Sequence, residues 1–413
     1  MYVLGGTQTD FARHFAREGK DLAEVVGETV DAALDDARVA PSDIGCVHVG
    51  NAFGEVFVGQ AQLGAMPATA RPALVGVPAA RHEAACASGG VAVLAAMADL
   101  EAGRYDVALV LGVEQEKNLS GEAAARAMGT AAWAGHEGQG ARYLWPHMFA
   151  RLADVYAERF GLDPRHLAAI AEKNLGNAKH NGRAQTRAWT FDARTFGAGW
   201  GDDAVNAPVE GRLRRLDCAQ VTDGAAALVL ASEPAAERWA AARGVRLASL
   251  ARIAGWGHRT AGLGLDDKLA APGPSGHVFP HLRECARDAW RRAGIGLDAL
   301  HLLEVHDCFS ITEYMLIDHL DVTAPGEAYK AIEDGRVLRG GRLPINPSGG
   351  LIGGGHPVGA TGVRMLLDAA RQVTGRAADT QVPGARWAGT LNIGGSATTV
   401  VAFAVHGPGE RAA

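Results

Sequence analysis

Cysteine is scarce in this chain and badly spaced for a scaffold. The five thiols, Cys46, Cys86, Cys218, Cys285 and Cys308, are scattered, odd in number and never form a C-x-x-C pair. That argues against a disulfide framework or a zinc ribbon, and no metal site is expected. One or two reactive thiols in a cytoplasmic protein is the reading that remains. Positive charge is short too: 40 Lys and Arg face 46 Asp and Glu. A nucleic-acid binder would show a basic stripe, and none is visible. No uncharged apolar run reaches about 18 residues, so no membrane span is expected. The opening "MYVLGGTQTDFAR" lacks a basic n-region and reads as strand then loop, not as a signal peptide.

What the chain has is apolar mass and glycine. Hydrophobic residues make up 48% of 413 and charged residues 21%, enough for a large core and two or three structural units. The 54 glycines cluster in apolar contexts, which suits close backbone approach better than a linker.

A weak internal repeat organises the sequence. An amphipathic helix, "DLAEVVGETVDAALDDARV", is followed by Asp43 and the strand ending at Asn51. A second helix, "FPHLRECARDAWRRAGI", is followed by Asp298 and "LHLLEVHDCFS", with His306 near the position of Asn51. "HEAACASGGVAVLAAMADLEAG" and "GGGHPVGATGVRMLLDAARQVTG" then each read as a turn opening a helix that leads to a strand. The helix over 88–98 has no polar face, so burial on all sides is expected. The strand over 107–111 is apolar throughout, as in a sheet covered on both faces. Two α/β halves packed back to back, with their central helices sandwiched, account for both. The expected units are 1–115, a loop segment with its return to the core over 116–245, and 246–413.

Four stretches can carry chemistry. In "EAACASGG", Cys86 sits among small residues before a helix, where the macrodipole and free N–H groups would lower its pKa. The alternative is a buried cysteine acting as a small hydrophobe. In "PSGGLIGGGHPVGATG" the glycines cannot fill a core, and His356 projects from a loop shaped around something. A phosphate loop is the alternative, but the Lys-Ser/Thr pair of a P-loop is missing. "EVHDCFSI" lacks metal-ligand spacing. Read as a strand, it turns His306 and Cys308 to one side and Asp307 to the other. "LNIGGSAT" ends a strand in glycines whose N–H groups can face a pocket.

Taken together, "CASGG", "HDCF", "GGHPVGATG" and "CAQVTDGAAALVL" resemble the thiolase family from end to end. "HDCF" is similar to the sterol-carrier-protein type. The resemblance implies a five-layer αβαβα sandwich of two βαβαβαββ halves with an inserted loop domain. It implies a CoA-dependent acyltransferase with Cys86 as nucleophile, His356 as its base, and His306 assisting at the thioester oxygen. The backbone N–H groups of Cys86 and Gly394 would form an oxyanion hole. Many thiolases carry a second acid/base cysteine where this chain has Asn392; an amide cannot shuttle protons, so Cys308 is the candidate replacement. Trp133, His136, Arg142, Trp145, His147 and Met148 are candidates for the CoA and acyl pockets. Coenzyme A would be substrate or product, with no permanently bound cofactor. A homodimer or homotetramer and a small accessory protein are the partners the resemblance suggests. Other readings on the scaffold are a ketosynthase-like, C-acylating or aldolase enzyme, or a non-catalytic subunit.

Overall fold

The computed structural model describes residues 1–270 and 275–408. The first half runs β1 (Tyr2–Gln8), α1 (Leu22–Ala37), β2 (Cys46–Gly50), β3 (Ala79–His82), α2 (Ser88–Glu101) and β4 (Val107–Glu114). The intervening segment holds α3 (Gly121–Met128), α4 (Leu144–Phe160) and α5 (Pro164–Ala178), then returns as β5 (Gly224–Ala231). The second half runs β6 (Ala251–Thr260), α6 (Pro280–Ala293), β7 (Leu302–Val305), α7 (Ser310–His319), α8 (Thr361–Val373), β8 (Trp387–Gly394) and β9 (Thr399–His406). Among the described residues, no helix is long and apolar enough to cross a membrane.

Local signals explain where the repeated outer helices begin and end. Asp21 caps α1 in a reciprocal capping box with Glu24, and the helix stops at Arg38 in the left-handed region. Pro280 opens α6 at its first turn, and Gly294 closes it at φ 72°.

The strand order is β3-β2-β4-β5-β1-β6-β9-β8-β7. In the first half β3, β2 and β4 are parallel, and β5 is antiparallel to both β4 and β1. The second half repeats this. Strand β9 is antiparallel to β6 and β8, β8 is parallel to β7, and a single parallel bridge from Leu303 to Ile345 stands where β3 stands in the first half. The halves meet at a short seam, Tyr2 with Arg252 and Val3 with Ala251.

The apolar strands are covered on both faces. Ala108 and Val110 of β4 face the core around the central helices, while Leu109, Leu111 and Val113 face the core under α1. Strand β9 does the same: Val401, Phe403 and Val405 point inward and Val400, Ala402 and Ala404 outward. Helices α2 and α8 fill the middle layer and cross at glycines. A Cβ on Gly89 would lie 2.7 Å from the Gly359 carbonyl oxygen, and one on Gly362 would strike the Gly90 nitrogen. A side chain there would push the halves apart, at about 1–3 kcal/mol.

Two expectations need correction. Helix α2 is not buried on all sides: Val91, Leu94 and Ala95 are partly exposed and Ala98 is exposed. These positions share one stripe of the helix, and no part of the described chain covers it. The alternation of His306, Asp307 and Cys308 does not come from a strand, because β7 stops at Val305 and the next residues are irregular.

Candidate active site

Cys86 sits in a tight turn, Ala85–Ala87, immediately before α2. The turn is held from both sides. Ala85 N–H donates to Glu83 Oε1 (2.6 Å), Ala84 N–H donates to Ser88 Oγ (2.9 Å), and Ser88 Oγ donates to the Ala85 carbonyl (2.6 Å). Ala85 itself has φ 49°, a left-handed conformation that costs about 1–2 kcal/mol for an L-residue. The strain is stored next to the thiol.

The lowered thiol pKa expected from the helix terminus is overturned. Burial, then the nearby Glu116 carboxyl, push the Cys86 thiol up to about 12, against a weaker pull from the Gly395 amide. Desolvation outweighs the macrodipole here. The thiol is protonated at rest and needs a base.

The His356 ring presents an unoccupied acceptor nitrogen to the same site. The single hydrogen of the Thr361 hydroxyl goes to the Pro357 carbonyl (3.1 Å), so Thr361 Oγ1 accepts from His356 Nδ1 at 2.7 Å. The ring proton is therefore on Nδ1, and Nε2 is a bare lone pair. That atom is buried without a hydrogen-bond partner. Burial, then Arg364, hold the ring down to about 3, so it is neutral.

His306 is the opposite tautomer. Asn392 donates its amide to the Cys86 carbonyl oxygen (3.0 Å), which fixes which way the amide points. The same NH₂ lies 3.2 Å from His306 Nδ1. An amide NH₂ only donates, so Nδ1 accepts and the proton sits on Nε2. The two rings stand edge to face, centroids 5.2 Å apart. Donor atoms of Cys86, His306 and His356 lie within 4.8 Å of one another. This set could ligate a metal, but one bare nitrogen beside one N–H is also what proton transfer needs.

Asp307 ties the two loops together. Its carboxylate accepts from Leu351 N–H (2.6 Å), Ile352 N–H (3.2 Å) and Asn174 Nδ2 (2.7 Å). It thus fastens the end of β7 to the glycine loop that carries His356. Asn174 Nδ2 also donates to Glu313, which pairs with Lys173 at 2.9 Å.

Cys86, Cys308 and His356 line one cavity of about 270 Å³, with His306 buried beneath them. Cys308 Sγ lies 3.8 Å from Thr312 Oγ1. Burial, then the neighbouring Cys86, push its thiol well above the usual range. Gly395, not Gly394, reaches this cavity; Gly394 borders an adjoining cavity with Ala84 and Ala85. Of the six pocket candidates only Trp145 reaches the thiol's cavity. Trp133 stacks on His136, and these two with His147 and Met148 border a separate polar cavity beside Asp266 and Asp267. Arg142 lines neither and pairs with Glu122 on the surface at 2.6 Å.

Sequence reasoning missed several residues. Phe53, Met128, Tyr143 and Phe149 form much of the apolar wall. No local pattern distinguishes them from ordinary packing residues. Glu116 is a buried lining carboxyl, raised well above its usual range by burial and by Glu114, with Oε2 unpartnered. Thr361 opens a helix five residues after His356, a spacing that could have flagged it.

Comparison with known proteins agrees with this architecture. Residues 1–188 match the family described as thiolase, N-terminal domain, and residues 275–405 match thiolase C-terminal domain-like. Acetyl-CoA acetyltransferase of Methanothermobacter thermautotrophicus is 30% identical over 98% of both chains. Sterol carrier protein 2 of Homo sapiens is 27% identical over 99% of this chain and 72% of that one. Among solved structures, the Ltp2-ChsH2(DUF35) aldolase superposes with TM-score 0.76 at 20% identity, covering 99% of this chain and 98% of that one. Acat5 thiolase from Ascaris suum in complex with coenzyme A gives 0.69 at 14% identity, covering 98% and 99%. Two α/β halves, a thiol and an imidazole brought together where their central helices start, and matches over both halves lead to one statement: this chain belongs to the thiolase family.

Proposed function

We propose that the protein is a CoA-dependent acyltransferase that cleaves a 3-ketoacyl-CoA with CoA, or runs the reverse condensation, through an acyl-enzyme on Cys86. The observation that carries this is the Cys86 thiol grouped with His306 and with His356, whose Nε2 is unpartnered, at the wall of an apolar cavity. His356 Nε2 takes the thiol proton as sulfur attacks the 3-keto carbon. The developing oxyanion is met by the backbone N–H of Cys86 and by the 394–395 turn. The bond between C2 and C3 breaks. The acetyl-CoA enolate that leaves has its oxygen near His306 Nε2–H and takes a proton at C2 from Cys308. The high pKa of Cys308 keeps it in the thiol form that this step needs. CoA then attacks the acyl-enzyme; its proton restores Cys308, and His356 returns its proton to Cys86.

Asn392 occupies the place of the missing acid/base cysteine and holds His306 in the donor tautomer. The likeness in sequence to sterol carrier protein 2, and the HDCF motif, support the sterol-carrier type. The trend toward an aldolase, suggested by the structural neighbour of that name, is disfavoured by the retained Cys86 and Cys308. A homodimer is supported by the open edge of β3, where Ala79 and Ala80 are exposed, and by the uncovered stripe of α2.

The deciding experiment separates the two half-reactions in Cys308→Ala. Mass spectrometry after acetyl-CoA should still show the acetyl adduct on Cys86, while condensation and thiolysis fall about 10²–10⁴-fold. Unchanged thiolysis would remove Cys308 from the mechanism, and no adduct on the wild type would overturn the whole reading.

A further inference from the structure

A second cluster of chemistry-bearing side chains lies at the far end of α2. Asp99 is eleven residues beyond Ser88, roughly 16 Å along the helix axis, and so well away from the Cys86 cavity. Cys46 and His48 stand two residues apart on β2 and therefore share one face of the strand. A ring nitrogen of His48, the Cys46 sulfur and a carboxylate oxygen of Asp99 lie within 4.8 Å of one another.

The imidazole is already arranged. His82 on β3 places Nε2 2.9 Å from His48 Nδ1, with the two rings stacked at 5.1 Å. That contact occupies Nδ1. The other nitrogen, Nε2, is buried and faces the Asp99 carboxylate, Oδ2 standing 3.3 Å away, with no partner beyond it. His48 as a whole is 6% exposed. A buried imidazole and a carboxylate facing each other beside a thiol form a donor set that a cation can bridge.

We propose that Cys46, His48 and Asp99 form a binding site for a zinc-type divalent cation, with His82 as the outer imidazole that orients His48. The donor set suits zinc: one sulfur, one nitrogen and one oxygen, with the fourth tetrahedral position left to water. Bonds of about 2.0–2.3 Å place tetrahedral ligands roughly 3.3–3.8 Å apart, so the observed cluster needs only a small contraction. Binding displaces one proton, from the Cys46 thiol, to water. A ligating histidine commonly has its second nitrogen engaged by an outer partner, the place His82 fills. The bound ion would pin β2 to the last turn of α2, beside the open sheet edge.

The test uses the full chain, treated with a chelator and titrated with Co²⁺ and then Zn²⁺. Because Cys86, His306 and His356 are themselves close enough to ligate, the titration is run in Cys86→Ala. One equivalent of Co²⁺ should bind and give a sulfur-to-cobalt absorption band, which Zn²⁺ bleaches. Cys46→Ser in that background should lose the band, and His82→Phe should bind about 10–100-fold more weakly. Cys46→Ser alone, with Cys86 intact, should still form the acetyl adduct, which shows that the chain is folded. Asp99→Asn gives a second route if Cys46→Ser is unstable, and it should weaken binding at least as much as His82→Phe. No bound cobalt in Cys86→Ala, or a band that survives Cys46→Ser and Asp99→Asn, overturns the proposal.

Discussion

The same place in the repeat carries different residues in the two halves, and the difference shows how a duplicated fold divides its labour. At the end of β2, Asn51 turns inward to structure: its side chain donates to the Val113 carbonyl and accepts from Gly54 N–H. At the end of β7, His306 turns to the site, held by Asn392. The turn before α2 carries Cys86, and the loop before α8 carries His356. Each half thus contributes what the other lacks, and the glycine-to-glycine crossing of α2 and α8 lets their helix starts meet. The sheet edges differ as well. Strand β3 is open, whereas the matching bridge at Ile345 is buried, with Leu343 to Gly350 all enclosed.

This comparison can be broken most severely at the paired helix starts. Cys86→Ala should abolish the acetyl adduct and lower turnover by about 10³-fold or more. His356→Asn should slow adduct formation without preventing substrate binding. Stopped-flow acylation measures both, and equal rates in wild type and His356→Asn would mean that the second half supplies no base.

A smaller loss is expected at Asn392. Alanine there frees His306 from its donor tautomer, and kcat should fall about 10²-fold with KM nearly unchanged. Asn392→Asp, which offers an acceptor to Nδ1, should not rescue it. A loss confined to KM would show that Asn392 shapes binding and not the ring.

The contrast between open and covered edges is sharpened by Leu94→Glu. In the homodimer proposed above, a charge on the uncovered stripe of α2 should weaken self-association roughly tenfold or more, read by analytical ultracentrifugation. A monomer in the wild type, or an unchanged mass in Leu94→Glu, would count against the proposed homodimer on this stripe.

The mildest effect is on pH-dependent stability. The His356 ring is held down to about 3 from an ordinary value of 6.5. As pH falls below about 6.5 the unfolded chain takes up the proton first, so stability present at neutral pH is lost progressively toward pH 3. Urea unfolding at pH 7.5 and 5 should show a shallower acid loss in His356→Asn than in wild type. An identical slope would show that the ring is not kept neutral by the fold.

Much of the fold was legible because its signals are local. The two amphipathic helices "DLAEVVGETVDAALDDARV" and "FPHLRECARDAWRRAGI" and the apolar run over 107–111 need no partner to be recognised. Cys86, His306, Cys308 and His356 were legible from motif resemblance. The Cys86 pKa was misjudged because a sequence shows the helix start but not the burial or Glu116. The pocket candidates divide for a related reason: sequence does not show which cavity a side chain borders, and of the six only Trp145 lines the cavity of the thiol.

The sequence alone determined the repeat and the helix starts, since these follow from periodicity within short windows, and its motif resemblance named the candidate reactive side chains. Tertiary structure alone decided the protonation of those side chains. A proton's place on His306 or His356 depends on Asn392 and Thr361, and the thiol's reluctance to ionise depends on how much water the surrounding fold excludes.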